Sequence, residues 1–317
     1  AGGAAAQFSP ATDARARGLE YIYIDPKGKK TYKDHNKLIN NTNGVLANTL
    51  KPLFKPTTSM VRIMFKLYSD QPPPDGKGVP DKFGHSKGLV MMDKTTGVWL
   101  SHSTPQFPFE RDQNNFWPDS GATNAQTFIC VTFKYNEFKK IGNVLTFTFD
   151  HQIPAGFHEE LRQVTKKDLE KRPKRDASKV KTQDLTSAAG TTKFRSFAKK
   201  QYKVGDLYLT IAETYTAIKK INTDVRVQTW GQQSDGSYCE LNQRQVIKIE
   251  SVGQTAGLGG WPNTKDHSKW CVAKDDKNNL ICIADVNRAY TQYERPGGAL
   301  CFEHKEFKTN MGGQKYK

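Results

Sequence analysis

The chain has 317 residues, which is enough for one large hydrophobic core or two smaller ones. Its 48 lysines and arginines exceed its 32 acidic residues, and the formal charge of +16 favours a polyanionic partner, nucleic acid before an anionic membrane. No apolar stretch is long enough for a transmembrane helix, so we expect a soluble protein with no membrane partner.

Strand-like alternation dominates the first half of the chain. The predicted strands cover residues 19–24, 61–68, 127–133 and 144–149, and a predicted hairpin lies within residues 82–100. Helical periodicity is weaker, and it favours helices over residues 36–53 and 158–169.

The second half repeats this mixture. Its strand-like segments are residues 207–211, 225–230 and 246–249, followed by a second hairpin, with partial helical character over 206–220 and near Glu303. Residues 166–200 are rich in Lys and Arg and poor in large apolar residues, which is typical of a solvated basic connection. We therefore predict an α+β or α/β fold of two similar halves, residues 1–165 and 201–317, joined by the basic region 166–200.

The most informative feature is a duplicated motif. His85-Ser86-Lys87 recurs as His267-Ser268-Lys269, and the nine residues from each His are identical at five positions. A polar turn and an apolar strand follow each copy. Alternate side chains of a strand share a face, so the His and Lys of each copy should project together. Two such half-sites would suit a single shared active site.

A His beside a Lys suits phosphate chemistry, because imidazole is a nucleophile or a general acid/base near neutral pH while ammonium holds a phosphate oxygen. One histidine would attack phosphorus, and the other would protonate the leaving oxygen and then activate water. The residues do not decide which one attacks, and His85 is the preferred candidate. A single H-x-K triplet is often only a pair of surface polar residues. This non-catalytic alternative is less favoured when two copies have the same flanking pattern.

Three further polar residues follow the motifs. His102 lies 17 residues after His85, while Asp285 and Asn287 lie 18 and 20 residues after His267. We predict that they support the two half-sites at their mouths; the alternative for His102 is a buried structural imidazole. No carboxylate cluster or cysteine pair has metal-ligand spacing, so we expect neither a metal nor another cofactor.

Several blocks make the chain resemble the deoxyribonuclease II family. They are GLEYIY at 18–23, GHSKGLV at 84–90, WLSHSTPQFP at 99–108, QTFICV at 126–131, DHSKWCV at 266–272, DVNR at 285–288 and GGALC at 297–301. The resemblance implies a phospholipase D-like fold of two pseudo-symmetric mixed-sheet halves with helices around them. It also implies metal-independent cleavage of double-stranded DNA to 3′-phosphate and 5′-hydroxyl ends, favoured at acidic pH.

The resemblance further implies a disulfide between Cys282 and Cys301, although other cysteines of animal members are absent. A secreted, periplasmic or lysosome-like compartment is therefore the expectation. Two other functions compete: a phosphodiesterase of the same scaffold acting on another substrate, such as a phospholipase, and a non-catalytic DNA-binding protein. We also predict a homodimer, since two facing subunits would form a longer basic clamp on DNA.

Overall fold

Two β-sheets, one from each half of the chain, form the framework of the protein. The structure is a computed structural model that describes residues 4–8, 18–28, 30–32, 38–56, 63–74, 84–148, 180–199, 205–214, 223–239, 241–253, 260–293, 295–311 and 314–316. The predicted helix over 158–169 lies outside these residues. The fold is mixed α+β, with few helices.

The first sheet is antiparallel throughout. Its strands are β1 (Ala4–Phe8), β2 (Tyr21–Ile24), β3 (Lys30–Tyr32), β4 (Met64–Ser69), β5 (Lys87–Met92), β6 (Thr96–His102) and β7 (Thr127–Lys134). They are ordered β3-β2-β1-β7-β6-β5-β4. The first motif therefore runs into β5, which is covered on each side by a neighbouring strand.

The second sheet holds the second motif. Its strands are β8 (Val180–Thr186), β9 (Lys193–Lys199), β10 (Val225–Gln228), β11 (Val246–Val252), β12 (Trp261–Pro262), β13 (Trp270–Ala273), β14 (Leu280–Ala284), β15 (Gly297–Glu303) and β16 (Gln314–Tyr316). Within the described residues the order is β12-β11-β10-β13-β14-β15-β9-β8, and β16 also pairs with β11. The series β10-β13-β14-β15 repeats the antiparallel series β4-β5-β6-β7.

Five α-helices lie in the described residues. They are α1 (Val45–Leu50), α2 (Ser120–Thr123), α3 (Glu137–Thr148), α4 (Leu207–Thr214) and α5 (Lys305–Met311), with 3-10 turns at Gly231–Gln233, Asn263–Lys265 and Tyr290–Gln292. No described helix has the length and apolar character needed to cross a membrane.

The two sheets pack face to face, and alternation along the motif strands shows how. In β5, Val90 and Met92 join the core between the sheets, whereas Leu89 and Met91 face a second core that includes α1. In β13, Trp270 enters the core between the sheets, while Cys271 faces a third core that includes α4. Because both faces are covered, the motif strands read as continuous apolar runs.

Three sequence-based assignments need correction. Of the predicted strand at 144–149, residues 144–148 are the end of α3, and residue 149 lies outside the described residues. In this helix Phe138, Ile141 and Val144 recur at helical spacing and are buried between the sheets. The strand-like segment 207–211 lies in α4, which buries Leu207 and Ile211 on one face.

The third correction concerns the basic region 166–200. Residues 180–186 and 193–199 are β8 and β9; β8 pairs with β9, and β9 pairs with β15. The second half therefore begins earlier than the sequence-based boundary at residue 201. The lysines in these segments obscured the strand pattern in the sequence. They are tolerated because β8 is an edge strand, where charged side chains face water and prevent pairing with another strand.

The predicted disulfide between Cys282 and Cys301 is present and links β14 to β15. Replacing both cysteines with alanine should lower the free energy of unfolding by about 3 kcal/mol, because the unfolded chain loses a cross-link over a loop of this length. Urea denaturation measures the change, with exposed Cys239→Ser as the control. Equal stability of the double variant and the wild type would contradict this expectation.

Candidate active site

The first motif is organised around a buried carboxylate, Asp70. Its Oδ2 accepts a hydrogen bond from His85 Nδ1 at 2.7 Å, and its Oδ1 accepts one from Lys87 Nζ at 2.8 Å. Both contacts follow from the pairing of β4 with β5, which sets Ser69 opposite Lys87 and leaves Asp70 just beyond the strand end. The side chains of His85 and Lys87 therefore project together, as predicted, and both bind Asp70.

The second motif has an indole where the first has the carboxylate. Gln228 pairs with Trp270 as Tyr68 pairs with Gly88, so Trp230 occupies the position equivalent to Asp70. The ring centroids of Trp230 and His267 are 4.0 Å apart at 81°. Lys269 Nζ donates to the His267 carbonyl at 2.6 Å. The two half-sites therefore differ in what orients each imidazole.

Each motif histidine is held by the opposite half of the protein. The His85 amide donates to the Pro296 carbonyl at 2.9 Å, and the His267 amide donates to the Ala125 carbonyl at 2.9 Å. Arg295 adds a cross-half contact, because its Nη2 donates to the Gly84 carbonyl at 2.7 Å. The duplicated motifs consequently meet at the junction of the two sheets.

The pKa shifts of the motif residues agree with the closeness of the two motifs. Burial, with Lys87 next, lowers the pKa of His85 to about 3. Burial, followed by Lys269 and Lys87, lowers the pKa of His267 to about 3. Burial, followed by Lys87, lowers the pKa of Lys269 to about 7. Each motif thus senses the lysine of the other, and both imidazoles are neutral in the ligand-free protein at mildly acidic pH.

Asp70 keeps its charge in this setting. Burial alone would raise its pKa, but Lys87 and His85 together hold the pKa of Asp70 well below its usual range. The carboxylate therefore accepts hydrogen bonds from both motif side chains over the whole range in which the histidines are neutral.

His102 lies beside the first half-site and is buried, not at an open mouth. Its ring stacks on Phe128 with centroids 5.2 Å apart and meets the edge of Phe107 at 4.9 Å. Burial, followed by the nearby Lys87, lowers the pKa of His102 to about 3. The residue is a neutral imidazole in an aromatic pocket, close enough to the first motif to sense its charges.

Asp285 and Asn287 reach different half-sites. Asp285 belongs to the second half, yet its Oδ2 accepts a hydrogen bond from Ser86 Oγ of the first motif at 2.8 Å. Burial raises the pKa of Asp285 to about 7. Asn287 Oδ1 accepts a hydrogen bond from the Trp230 amide at 3.4 Å, which ties it to the residue that contacts His267.

Sequence reasoning missed Asp70 and Arg295, and it gave Trp230 no specific role. Asp70 and Trp230 each follow the strand that pairs with a motif strand, and this was the available signal. Within the described residues, no group of three or more His, Cys, Asp or Glu side chains is arranged to hold a metal ion.

Comparison with known proteins gives a consistent assignment. The sequence matches the Deoxyribonuclease II family over residues 5–314. It is 33% identical to deoxyribonuclease-2-alpha of Rattus norvegicus over 90% of this chain and 80% of that protein. It is 31% identical to deoxyribonuclease-2-beta of Homo sapiens, over 90% and 79% of the two chains, and 31% identical to plancitoxin-1 of Acanthaster planci, over 92% and 81%. The chain therefore belongs to the deoxyribonuclease II family.

Proposed function

We propose that this protein is a metal-independent endonuclease that hydrolyses DNA to 3′-phosphate and 5′-hydroxyl ends through a two-histidine mechanism. Family membership supports a DNA-cleaving hydrolase. The observation that carries the mechanism is the meeting of both H-x-K motifs, each held by the opposite half. The formal charge of +16 supports a polyanionic substrate.

His85 is the proposed nucleophile. With Asp70 bound at Nδ1, the proton of the neutral ring lies on Nδ1 and the lone pair of Nε2 is available for attack. A lowered pKa keeps His85 neutral in acid, where a free imidazole would be protonated. Nε2 forms a bond to phosphorus as the bond from phosphorus to the 5′ oxygen breaks, leaving a 3′-phosphoryl group on His85.

His267 is the proposed general acid. Its pKa is lowered by burial, then Lys269 and Lys87, and a bound phosphodiester anion would pair with these lysines and raise the pKa again. Protonated His267 gives its proton to the 5′ oxygen, which leaves as a hydroxyl. Neutral His267 then takes a proton from water, whose oxygen attacks phosphorus and releases His85 and the 3′-phosphate.

The remaining residues have supporting roles in this proposal. Lys87 and Lys269 neutralise the nonbridging oxygens as charge builds in the transition state. Asp70 orients His85 and stabilises the positive ring formed by attack. Asn287 positions Trp230 against His267, and Asp285 holds Ser86, the middle residue of the first motif. His102 lines the aromatic wall beside Lys87.

The activity should fall as pH rises through about 7. Lys269, with a pKa of about 7, is a cation below this pH and a neutral amine above it, so phosphate binding weakens on the alkaline side. Lys269→Arg keeps a positive charge throughout and should move the decline to higher pH, even if its maximal rate is lower. Initial rates across acidic to alkaline pH measure the shift, and an unmoved decline in Lys269→Arg would contradict the assignment.

Nicking of supercoiled plasmid in excess EDTA tests the proposed function. We expect undiminished cleavage, with new 5′ ends that a polynucleotide kinase labels directly and 3′ ends that a polymerase extends only after phosphatase treatment. Strict dependence on added magnesium would refute the metal-free mechanism. Hydrolysis of a choline phospholipid without plasmid cleavage would favour a phosphodiesterase of the same scaffold acting on another substrate. If neither the plasmid nor the phospholipid were cleaved, a non-catalytic DNA-binding protein would be favoured.

We also infer a phospholipase D-like fold and an oxidising compartment. The matching order of four strands in each sheet, β4-β5-β6-β7 and β10-β13-β14-β15, supports a phospholipase D-like fold of two pseudo-symmetric halves. The disulfide between Cys282 and Cys301 supports an oxidising compartment, secreted, periplasmic or lysosome-like.

We also propose a homodimer whose two sites form one basic clamp for double-stranded DNA. Light scattering at micromolar concentration tests this, and a monomer with full activity would remove it. The dimer is separate from the chemistry, since one chain supplies both motifs.

A further inference from the structure

The connection between β14 and β15 runs along the candidate site from one motif to the other. We call its residues 285–293 and 295–296 the rim loop. Near its start, Asn287 bonds the Trp230 amide, and the Trp230 ring lies against His267. Near its end, Arg295 bonds the Gly84 carbonyl and comes within 3.5 Å of Asp70. The rim loop is therefore anchored at both half-sites.

Buried polar groups hold this loop from below. Lys199 Nζ donates to the Tyr293 carbonyl at 2.8 Å, and Tyr208 donates its hydroxyl to the Val286 carbonyl at 2.7 Å. Arg288 Nε pairs with Asp206 Oδ2 at 2.6 Å. Burying a cation is unfavourable unless it is well paired. Here Lys199 binds backbone of the rim loop, and Arg288, a residue of the loop, ties it to Asp206. The rim loop is thus held in place by buried hydrogen bonds.

The rim loop carries an exposed tyrosine, Tyr290. Tyr290 begins the 3-10 turn Tyr290–Gln292, and 83% of its surface is exposed, while its ring centroid lies 6.1 Å from that of Tyr293. Tyr293 itself is fixed, because its hydroxyl donates to Asp235 Oδ2 at 2.6 Å. A tyrosine offers a large flat surface with only two side-chain torsions to order, which suits it to ligand contact.

We propose that Tyr290 is a substrate-binding residue that stacks on a nucleobase of the cleaved strand next to the scissile phosphate. This inference rests on the proposed nuclease function. The lysines of the two motifs and Arg295 provide for the phosphate, whereas Tyr290 provides an apolar face on the loop that joins the half-sites. Stacking tolerates any base, because every base has a π-face.

Steady-state cleavage of a single-stranded tetranucleotide, with products resolved so that each phosphate is assigned, tests the proposal. Tyr290→Ala should raise KM about tenfold, and Tyr290→Phe, which keeps the ring, should restore most of the affinity. Leu241→Ala is the matched control, because Leu241 is 92% exposed but lies away from the site. Leu241 precedes the start of β11, which is parallel to β10, whereas the site lies at the opposite end of these strands, beyond the end of β10.

A second measurement identifies the stacked base by changing the substrate. Abasic substitutions on either side of the cleaved phosphate should weaken binding to the wild type at one position, and Tyr290→Ala should lose nothing further there. A KM within twofold of wild type for Tyr290→Ala, or an equal rise for Leu241→Ala, would overturn the role of Tyr290. Absence of DNA cleavage by the wild type would instead overturn the proposed function.

Discussion

Replacing His85 or His267 with alanine is expected to lower the rate of DNA cleavage by about a thousandfold or more. The first substitution removes the proposed nucleophile, and the second removes the proton donor for the leaving oxygen. His85 precedes β5 and His267 precedes β13, and the core contacts of both segments are made by later residues, so the fold should persist. Plasmid nicking gives the rate, and circular dichroism with thermal melting confirms folding.

His304→Ala is the matched control for these two variants. His304 lies outside the site, where its Nε2 contacts the Pro26 carbonyl and its ring packs on Phe307. We expect this variant to lose some stability and to keep its cleavage rate. Near-wild-type turnover by either motif variant would contradict a shared two-histidine site.

Asp70→Asn is expected to lower the cleavage rate about 10²- to 10⁴-fold, by analogy with other carboxylates that orient a catalytic histidine. The amide keeps the size of the carboxylate but can donate to His85 Nδ1, which moves the ring proton to Nε2 and removes the attacking lone pair. The substitution also deprives buried Lys87 of its counter-charge, so a lower melting temperature should accompany the loss.

The readout that separates positioning from stability is kcat below the melting transition. Asp184→Asn provides the control, because Asp184 also forms an ion pair, with Arg195 at 2.7 Å, but on the strands β8 and β9. We expect Asp184→Asn to cleave at the wild-type rate. If Asp70→Asn kept its kcat while folded, Asp70 would not orient the nucleophile.

The motif pattern was enough to predict that the side chains of His85 and Lys87 project together. Alternation along a strand is local, so the partnership of His85 with Lys87 could be inferred from spacing alone. The disulfide between Cys282 and Cys301 was implied by the family resemblance and is confirmed. These features depend either on neighbours in sequence or on a distinctive block.

The partners of the motifs could not be predicted in the same way. Asp70 reaches His85 only because β4 pairs with β5 in one register, and Trp230 reaches His267 through the separate pairing of β10 with β13. Such registers are set by tertiary packing, which a local pattern does not contain. Packing also overrode local preference in α3, where aromatic and β-branched residues near Val144 form a helix against both sheets.

In the proposed mechanism, His85 attacks phosphorus and His267 protonates the leaving group. A DNA strand with a 5′-bridging sulfur at the scissile phosphate tests it most directly, since a thiolate leaves without a proton. Single-turnover release of the 5′-thiol should be close to wild type for His267→Ala and absent for His85→Ala. Release by His85→Ala but not by His267→Ala would reverse the roles, and equal loss in both variants would contradict a division of labour between the two motifs.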